Sequence, residues 1–380
     1  MNIEVRGIGF PNKGAELMLI ALIQALNSRL GGVRVVLPPS TPYNERAKYG
    51  TWQLGLWHRF GVNWLSILYL MPKKIRQHLG LIMPSEIDII IDASGFAYGD
   101  QWGAEKLRKR LADNIADFKR RRKNRKVILL PQALGPFTQP EMQLAMAKVI
   151  DTADIIFARD QESLDHVKAI QDANNVYLAP DFTNLFQAAY AGDFDKDKQQ
   201  ICFIPNAKMV QMKEHGAGNP YQDFMAAMLK SAVANDLKPF LLIHEGEKDR
   251  QLGHRIMQQA GVSVPVIHPD NAADVKAIIG LTRLVVSSRF HGLVSALSQG
   301  VPVLATGWSH KYKMLLSDYQ MQHYLFDETT DTQKAIDAML ALSTDSDLYS
   351  QVCQIVSEHA SQEKSRTQKM WDQVQGILSS

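Results

Sequence analysis

The chain reads as an α/β protein made of two doubly wound halves, each a parallel sheet wrapped by helices. Three observations predict this. Short apolar runs alternate with longer amphipathic stretches, the rhythm of strand–helix–strand units around a parallel sheet. Runs such as 87–94 and 126–134 are apolar on both faces, as strands buried on both sides must be. The rhythm breaks at the polar stretch 192–200 and then starts again.

In the first half, strands are expected at 2–8, 33–38, 87–94, 126–134, 154–159 and 175–180. Amphipathic periodicity places helices between them at 14–30, 104–123 and 140–152. After the break, strands are expected at 201–205, 238–244, 264–268, 283–288 and 302–306, with helices near 221–235, 248–260, 271–280 and 292–299. A last helical stretch covers about 345–377. The resulting domains are 1–192 and 200–345, both Rossmann-like, with a helical segment 346–380 closing the chain. A length of 380 residues suits two domains of about 150–200 residues each. The two halves are expected to face a cleft, and ligands of such sheets bind outside the carboxyl ends of the strands.

Composition narrows the class. Hydrophobic residues at 46% and charged residues at 21% describe a globular rather than a disordered chain. A net charge of +3 gives no reason to expect nucleic acid as partner. Cys202 and Cys353 are too far apart in sequence to outline a disulfide framework or a metal site, so no metal is expected. The N-terminus lacks the basic and long apolar regions of a signal peptide, and no apolar run reaches membrane-spanning length. The expected location is the cytoplasm.

The most informative segment runs from Arg283 to Gly307. A strand ends in Ser287-Ser288, a turn carries Arg289 and His291, and a short helix leads to Gly300. A helix N-terminus offers free backbone N–H groups and a positive dipole end. Arg289 adds a planar fork suited to phosphate or carboxylate, and His291 stands beside it as a proton donor or acceptor. The plainer alternative is that Arg289 pairs with a carboxylate and His291 caps the helix. At the end of the first strand, Glu16 admits two readings: an acid stabilising the first turn of its helix, which is favoured, or a base for a substrate hydroxyl.

Other signals are weaker. Residues 9–14 have the glycine spacing of a P-loop, but Ala15 stands where lysine is required. The basic run 119–126 reads as a solvated helix end or, alternatively, as a patch drawn to an anionic membrane. Residues 52–82 carry Trp52, Trp57 and Trp64, then an apolar stretch and Lys73, Lys74 and Arg76. Core helices are the ordinary reading; an interfacial segment on a membrane is the other.

The motifs also carry a resemblance. Ser-Ser-Arg-Phe-His-Gly-Leu at 287–293, followed by Ala-Leu-Ser-Gln-Gly-Val-Pro-Val, resembles the C-terminal signature of the polysaccharide pyruvyl transferases. Lys311 falls where that family has a lysine after the next strand. Upstream and in order, 12–16 resembles its N-terminal loop and 133–137 its Gly-Pro-Phe turn. Arg159-Asp160 with Ser163 resembles its Arg-(Asp/Glu)-x-x-Ser element, and Pro180-Asp181 the end of its first domain. Ala15 departs from the pattern, since many members carry Asp there.

This resemblance implies a GT-B-like fold and transfer of pyruvate from phosphoenolpyruvate to a sugar of a cell-surface or extracellular polysaccharide precursor, as a ketal. Phosphoenolpyruvate is then a co-substrate, and no cofactor is implied. The carried-over roles make His291 the general acid and place Arg159, Arg289, Ser288 and Lys311 on phosphoenolpyruvate; Asn12 and Glu16, at the end of the first strand, are expected to face the same cleft from the acceptor side. A lipid-linked acceptor would give the aromatic and basic stretch 52–82 a purpose, at the inner face of the membrane. The alternatives are a nucleotide-sugar glycosyltransferase of the same fold and a non-catalytic binding protein. Against the first, no Asp or Glu lies between His291 and Asp318 to hold a ribose.

Overall fold

A computed structural model describes residues 1–59, 62–212, 219–307 and 309–379. Two parallel sheets account for most of it. The first contains β1 (Asn2–Arg6), β2 (Arg34–Leu37), β3 (Trp52–Leu54), β6 (Leu81–Ile82), β7 (Ile89–Asp92), β8 (Lys126–Gln132), β9 (Ile155–Ala158) and β10 (Val176–Leu178). Its order is β10-β9-β8-β7-β1-β2-β3-β6, so the direction of winding reverses between β1 and β7. A small antiparallel pair, β4 (His58–Arg59) and β5 (Val62–Asn63), stands outside it. The second sheet contains β11 (Ile201–Ile204), β12 (Pro239–Leu242), β13 (Val266–Ile267), β14 (Leu284–Ser287) and β15 (Val303–Ala305). Its order, β13-β12-β11-β14-β15, reverses between β11 and β14.

The strands form where the sequence is apolar on both faces. Every residue of β7, β9, β11, β12 and β14 is buried. In the first sheet Ile90, Val127, Leu129 and Ile156 pack with Leu111, Ile115, Met142 and Val149 from the covering helices. In the second, Phe203, Leu241 and Val285 share a core with Phe224, Leu229, Ile256 and Ile278. Burial of such side chains stabilises each by roughly 1.5–3 kcal/mol.

Contacts divide the chain into two units, Met1–Phe10 with Met18–Phe182 and Arg366–Ser380, and Pro11–Leu17 with Thr183–Ser365. The expected join lay in 192–200; the contacts put it between Phe182 and Thr183. The expected tail 346–380 is one helix, Ser346–Ser379, whose first part belongs to the second unit and whose last part belongs to the first. The division follows packing. Trp371 is buried against Phe182, ring centroids 6.0 Å apart, and under Arg29 at 5.7 Å.

Residues 52–82 depart from the core-helix reading. They supply strands β3 and β6, the turn Trp64–Leu70 and the short helix Lys73–His78. Strands of two or three residues leave no periodicity to detect. The sequence reading also lacked the helices Gln161–Lys168, His310–Asp318 and Thr332–Thr344.

Candidate active site

In a doubly wound sheet the crevice opens where the winding reverses, at the carboxyl ends of the strands. In the second unit that point lies between β11 and β14. Asn206, just past β11, donates from Nδ2 to the Ser288 carbonyl just past β14, at 3.0 Å. The Tyr312 hydroxyl donates to the same carbonyl at 2.9 Å, and Ser288 Oγ bonds Tyr221 Oη at 2.9 Å. Ser288 is therefore a fully buried tie between three elements, which tempers the expectation that its side chain meets a substrate.

Arg289 follows, and its backbone N–H donates to Ser287 Oγ at 2.9 Å. Its guanidinium does not offer a vacant fork. Nη1 donates to Glu245 Oε2 at 2.5 Å, and Nη2 to both oxygens of Asp249 at 2.6 Å. Burial alone would lower the guanidinium's pKa, but Asp249 and Glu245 outweigh it and hold Arg289 above its ordinary value. Asp249 also accepts from the backbone N–H groups of Ala207 and Glu245, at 2.9 Å and 3.2 Å. Arg289 is thus bound into an ion-paired network past the ends of β11, β12 and β14. The plainer reading of this arginine, pairing with a carboxylate, is the one the geometry favours, with Asp249 buried and Glu245 partly exposed.

His291 sits in the first turn of the helix Phe290–Leu297 and is half-buried. Its ring lies edge-on to Phe290, centroids 5.6 Å apart. The loop Pro11–Leu17 reaches it: a Cβ on Gly14 would overlap the His291 ring, so only glycine admits this approach. Asn12 Oδ1 accepts from the Ala15 backbone N–H at 3.1 Å and steadies the start of the helix Lys13–Arg29. Glu16 is buried, and its carboxylate lies 3.0 Å from Lys13 Nζ, in accord with the first-turn reading. Lys13 Nζ also donates to the Asp270 carbonyl. Lys311, in the first turn of the helix His310–Asp318, places Nζ 5.4 Å from the Phe290 ring and 5.3 Å from that of Tyr312.

His244, past the end of β12, escaped the sequence reading. It is 5% exposed, and its Nδ1 has no hydrogen-bond partner among the described residues. Burial first, then the nearby Arg289, His291, Lys13 and Lys208, push its pKa well below the usual histidine value, so it is neutral. The available signal was the polar run His244-Glu245 directly after an apolar strand.

Arg159 belongs to the first unit, at the carboxyl end of β9. It is buried, and Nη1 lies 3.5 Å from Asp181 Oδ2, which joins two of the motifs noted in the sequence. Asp160 caps the helix Gln161–Lys168 by accepting from the Ser163 N–H at 2.8 Å. Ser163 Oγ accepts from the Leu134 N–H at 2.9 Å, which fixes the Gly-Pro-Phe turn against that helix. At the reversal of this sheet, Asp92 accepts from Tyr98 Oη at 2.8 Å and from Gln132 Nε2 at 2.9 Å. Among the described residues no group of His, Cys, Asp and Glu is placed to hold a metal ion.

Two Rossmann-like domains with polar residues gathered at strand ends define a GT-B-like protein. The fold is shared with HepE of Anabaena in complex with UDP-glucose, at TM-score 0.59 and 14% identity over 100% of this chain and 99% of that one. It is shared also with UDP-GlcNAc 2-epimerase of Neisseria meningitidis bound to UDP-GlcNAc, at 0.57 and 10% over 97% and 99%. MnaA of S. aureus, in a structure with UDP, gives 0.59 and 12% over 100% and 96%. No curated protein matches the sequence. The sequence does match the family description "Polysaccharide pyruvyl transferase" over residues 12–310, and the chain belongs to that family.

Proposed function

We propose that the protein transfers pyruvate from phosphoenolpyruvate to two hydroxyls of a sugar, forming a ketal on a precursor of a cell-surface polysaccharide. The reading rests on the family match over residues 12–310, which takes in the loop residues Asn12–Leu17 and the His291 helix that Gly14 packs upon. His291 donates a proton to the methylene carbon, which becomes the methyl group. The cation at the central carbon is attacked by one sugar hydroxyl. Phosphate departs, the second hydroxyl closes the ring, and of the two hydroxyl protons one replaces that lost by His291 and the other leaves on phosphate. A positioned acid of this kind contributes typically 10²–10⁴-fold. Lys311 takes an anionic group of the donor, and Arg289 holds the turn that carries His291. Glu16 and Asn12 order the loop beside that histidine, on the acceptor side. The donor is a cytoplasmic metabolite, so the reaction belongs to the cytoplasm, and the acceptor is a saccharide carried on a lipid at the inner membrane face.

The test is phosphate release from phosphoenolpyruvate across a panel of sugar nucleotides, glycosides and lipid-linked sugars, with mass analysis of the acceptor. The expected product is the acceptor plus pyruvate less one water. Turnover of a nucleotide sugar without phosphoenolpyruvate would instead establish a glycosyltransferase. In the active pair, His291→Ala and His291→Gln both lower kcat by about 10²–10⁴ with donor affinity and thermal midpoint little changed. A Gln variant with near-normal turnover and a lower midpoint would leave His291 a cap and move the acid to Lys311.

A further inference from the structure

The first unit carries an apolar surface that its own fold does not cover. The turn Trp64–Leu70 spells Trp-Leu-Ser-Ile-Leu-Tyr-Leu, yet none of its side chains is buried. Trp64 is 54% exposed, Ile67 67% and Leu70 85%; Tyr69, Ile75 and Leu79 are exposed as well. An apolar segment so presented needs something to hold it out. Arg76, the buried side chain of the helix Lys73–His78, donates from Nη1 to the carbonyls of Leu68 and Met71, at 3.3 and 2.7 Å. Its Nη2 pairs with Glu86 at 3.3 Å. The Tyr69 hydroxyl reaches Ser85 Oγ at 3.1 Å.

The turn Pro84–Glu86 that receives these bonds also receives the basic end of the helix Asp113–Arg121. Arg125 Nη2 donates to the Pro84 and Ser85 carbonyls at 3.3 and 3.1 Å. The run Arg120, Arg121, Arg122 and Lys123, all exposed, lies in the chain just before that anchor, and the exposed Lys73 and Lys74 follow the apolar turn itself. The neighbouring carboxylates are engaged: Glu86 by Arg76 and Lys73, Asp88 by Arg122 at 3.6 Å, Asp117 by Arg120 at 2.8 Å. Cations outnumber them. Aromatic and branched side chains flanked by lysine and arginine match a bilayer bearing negative headgroups, where the rings settle at the interface and the cations meet phosphates.

We propose that the 64–79 segment and the 120–123 run together dock the protein on an anionic lipid bilayer. The inference rests on the lipid-linked acceptor reading and supplies the surface that reading requires. Docking is measured without donor or acceptor, so its failure and that of pyruvyl transfer are separate results.

The experiment is co-sedimentation with vesicles of phosphatidylglycerol and phosphatidylcholine in equal parts, and of phosphatidylcholine alone. The full chain is expected on the mixed vesicles, at least tenfold more weakly on phosphatidylcholine, and progressively released by salt. Ile67→Ser with Leu70→Ser lowers the partition roughly tenfold or more, since two large exposed side chains lose their burial in lipid. Lys73→Glu with Lys74→Glu lowers it as well, and both pairs keep wild-type turnover on a soluble acceptor. Absence of sedimentation, or equal partition of wild type and both pairs, overturns the proposal. So does concentration-dependent self-association abolished by the Ile67 and Leu70 changes, which would make a second copy the occupant.

Discussion

At the scale of single residues, the decisive side chain is Arg289, because its partners determine what it does. Two carboxylates meet its buried guanidinium, so its removal strands the buried Asp249 without a counter-charge and leaves Glu245 only Lys208, 3.7 Å away. Arg289→Ala is therefore expected to cost about 3–5 kcal/mol in urea unfolding. Loss of donor affinity at unchanged stability would mark it instead as a direct phosphate ligand. His244 gives a second prediction. A neutral buried imidazole takes up no proton in the fold, whereas the unfolded chain protonates below about pH 6.5. The unfolded state then binds more protons, so stability falls as pH is lowered from there, by about 1.4 kcal/mol per pH unit until the folded-state pKa is reached. His244→Gln should remove that share of the slope; unfolding curves of both proteins from pH 7 to 4.5 make the comparison. Identical slopes would mean that His244 is charged in the fold. His291, Arg289 and Lys311 were legible in the sequence because they sit in one contiguous segment. Glu245, Asp249 and His244 were not, because only the β12-β11-β14 order brings a segment some 40 residues upstream beside Arg289.

At the scale of elements, the helix Lys13–Arg29 and the helix Phe290–Leu297 meet through the absence of a side chain. Gly14 is in the helical first turn, where alanine has the better intrinsic propensity by about 1 kcal/mol. The space a methyl group would need is occupied by the imidazole of His291. Gly14→Ala is thus expected to keep the thermal midpoint near wild type while pushing the ring out of place. Displacement by about an ångström costs on the order of 10²-fold in turnover. Steady-state kinetics beside a melting curve would decide; full activity would show that the ring has room to move without consequence. The long strands were readable because apolar runs such as Ile89–Asp92 are buried throughout. The 52–82 region was not, since β3 and β6 are too short to show a period and its exposed apolar turn imitates a core segment.

At the scale of the molecule, the first unit is closed by residues from the far end of the chain. Trp371 is 1% exposed and packs on Phe182 and under Arg29. Trp371→Ala is expected to cost about 3–5 kcal/mol, the usual loss for a buried tryptophan. Denaturant unfolding measures it; a loss below 1 kcal/mol would show the C-terminal turns to be dispensable. The restart of the strand–helix rhythm announced two domains. It said nothing of the helix Ser346–Ser379 being shared between them, because a continuous amphipathic pattern does not record which core each turn serves.

That sharing bears on how the protein is made. Translation delivers the first unit's strands early, but Arg366–Ser380 comes only after the second unit, and Pro11–Leu17, made well before Thr183–Ser365, finds its neighbours only after the second sheet exists. Domains ordinarily fold in order as they leave the ribosome, at about 5–20 residues per second. The second unit has all its residues once Ser365 is made, whereas the first waits for Arg366–Ser380, so the ribosome holds an unfinished first domain, with Phe182 lacking its Trp371 neighbour, through the whole synthesis of the second.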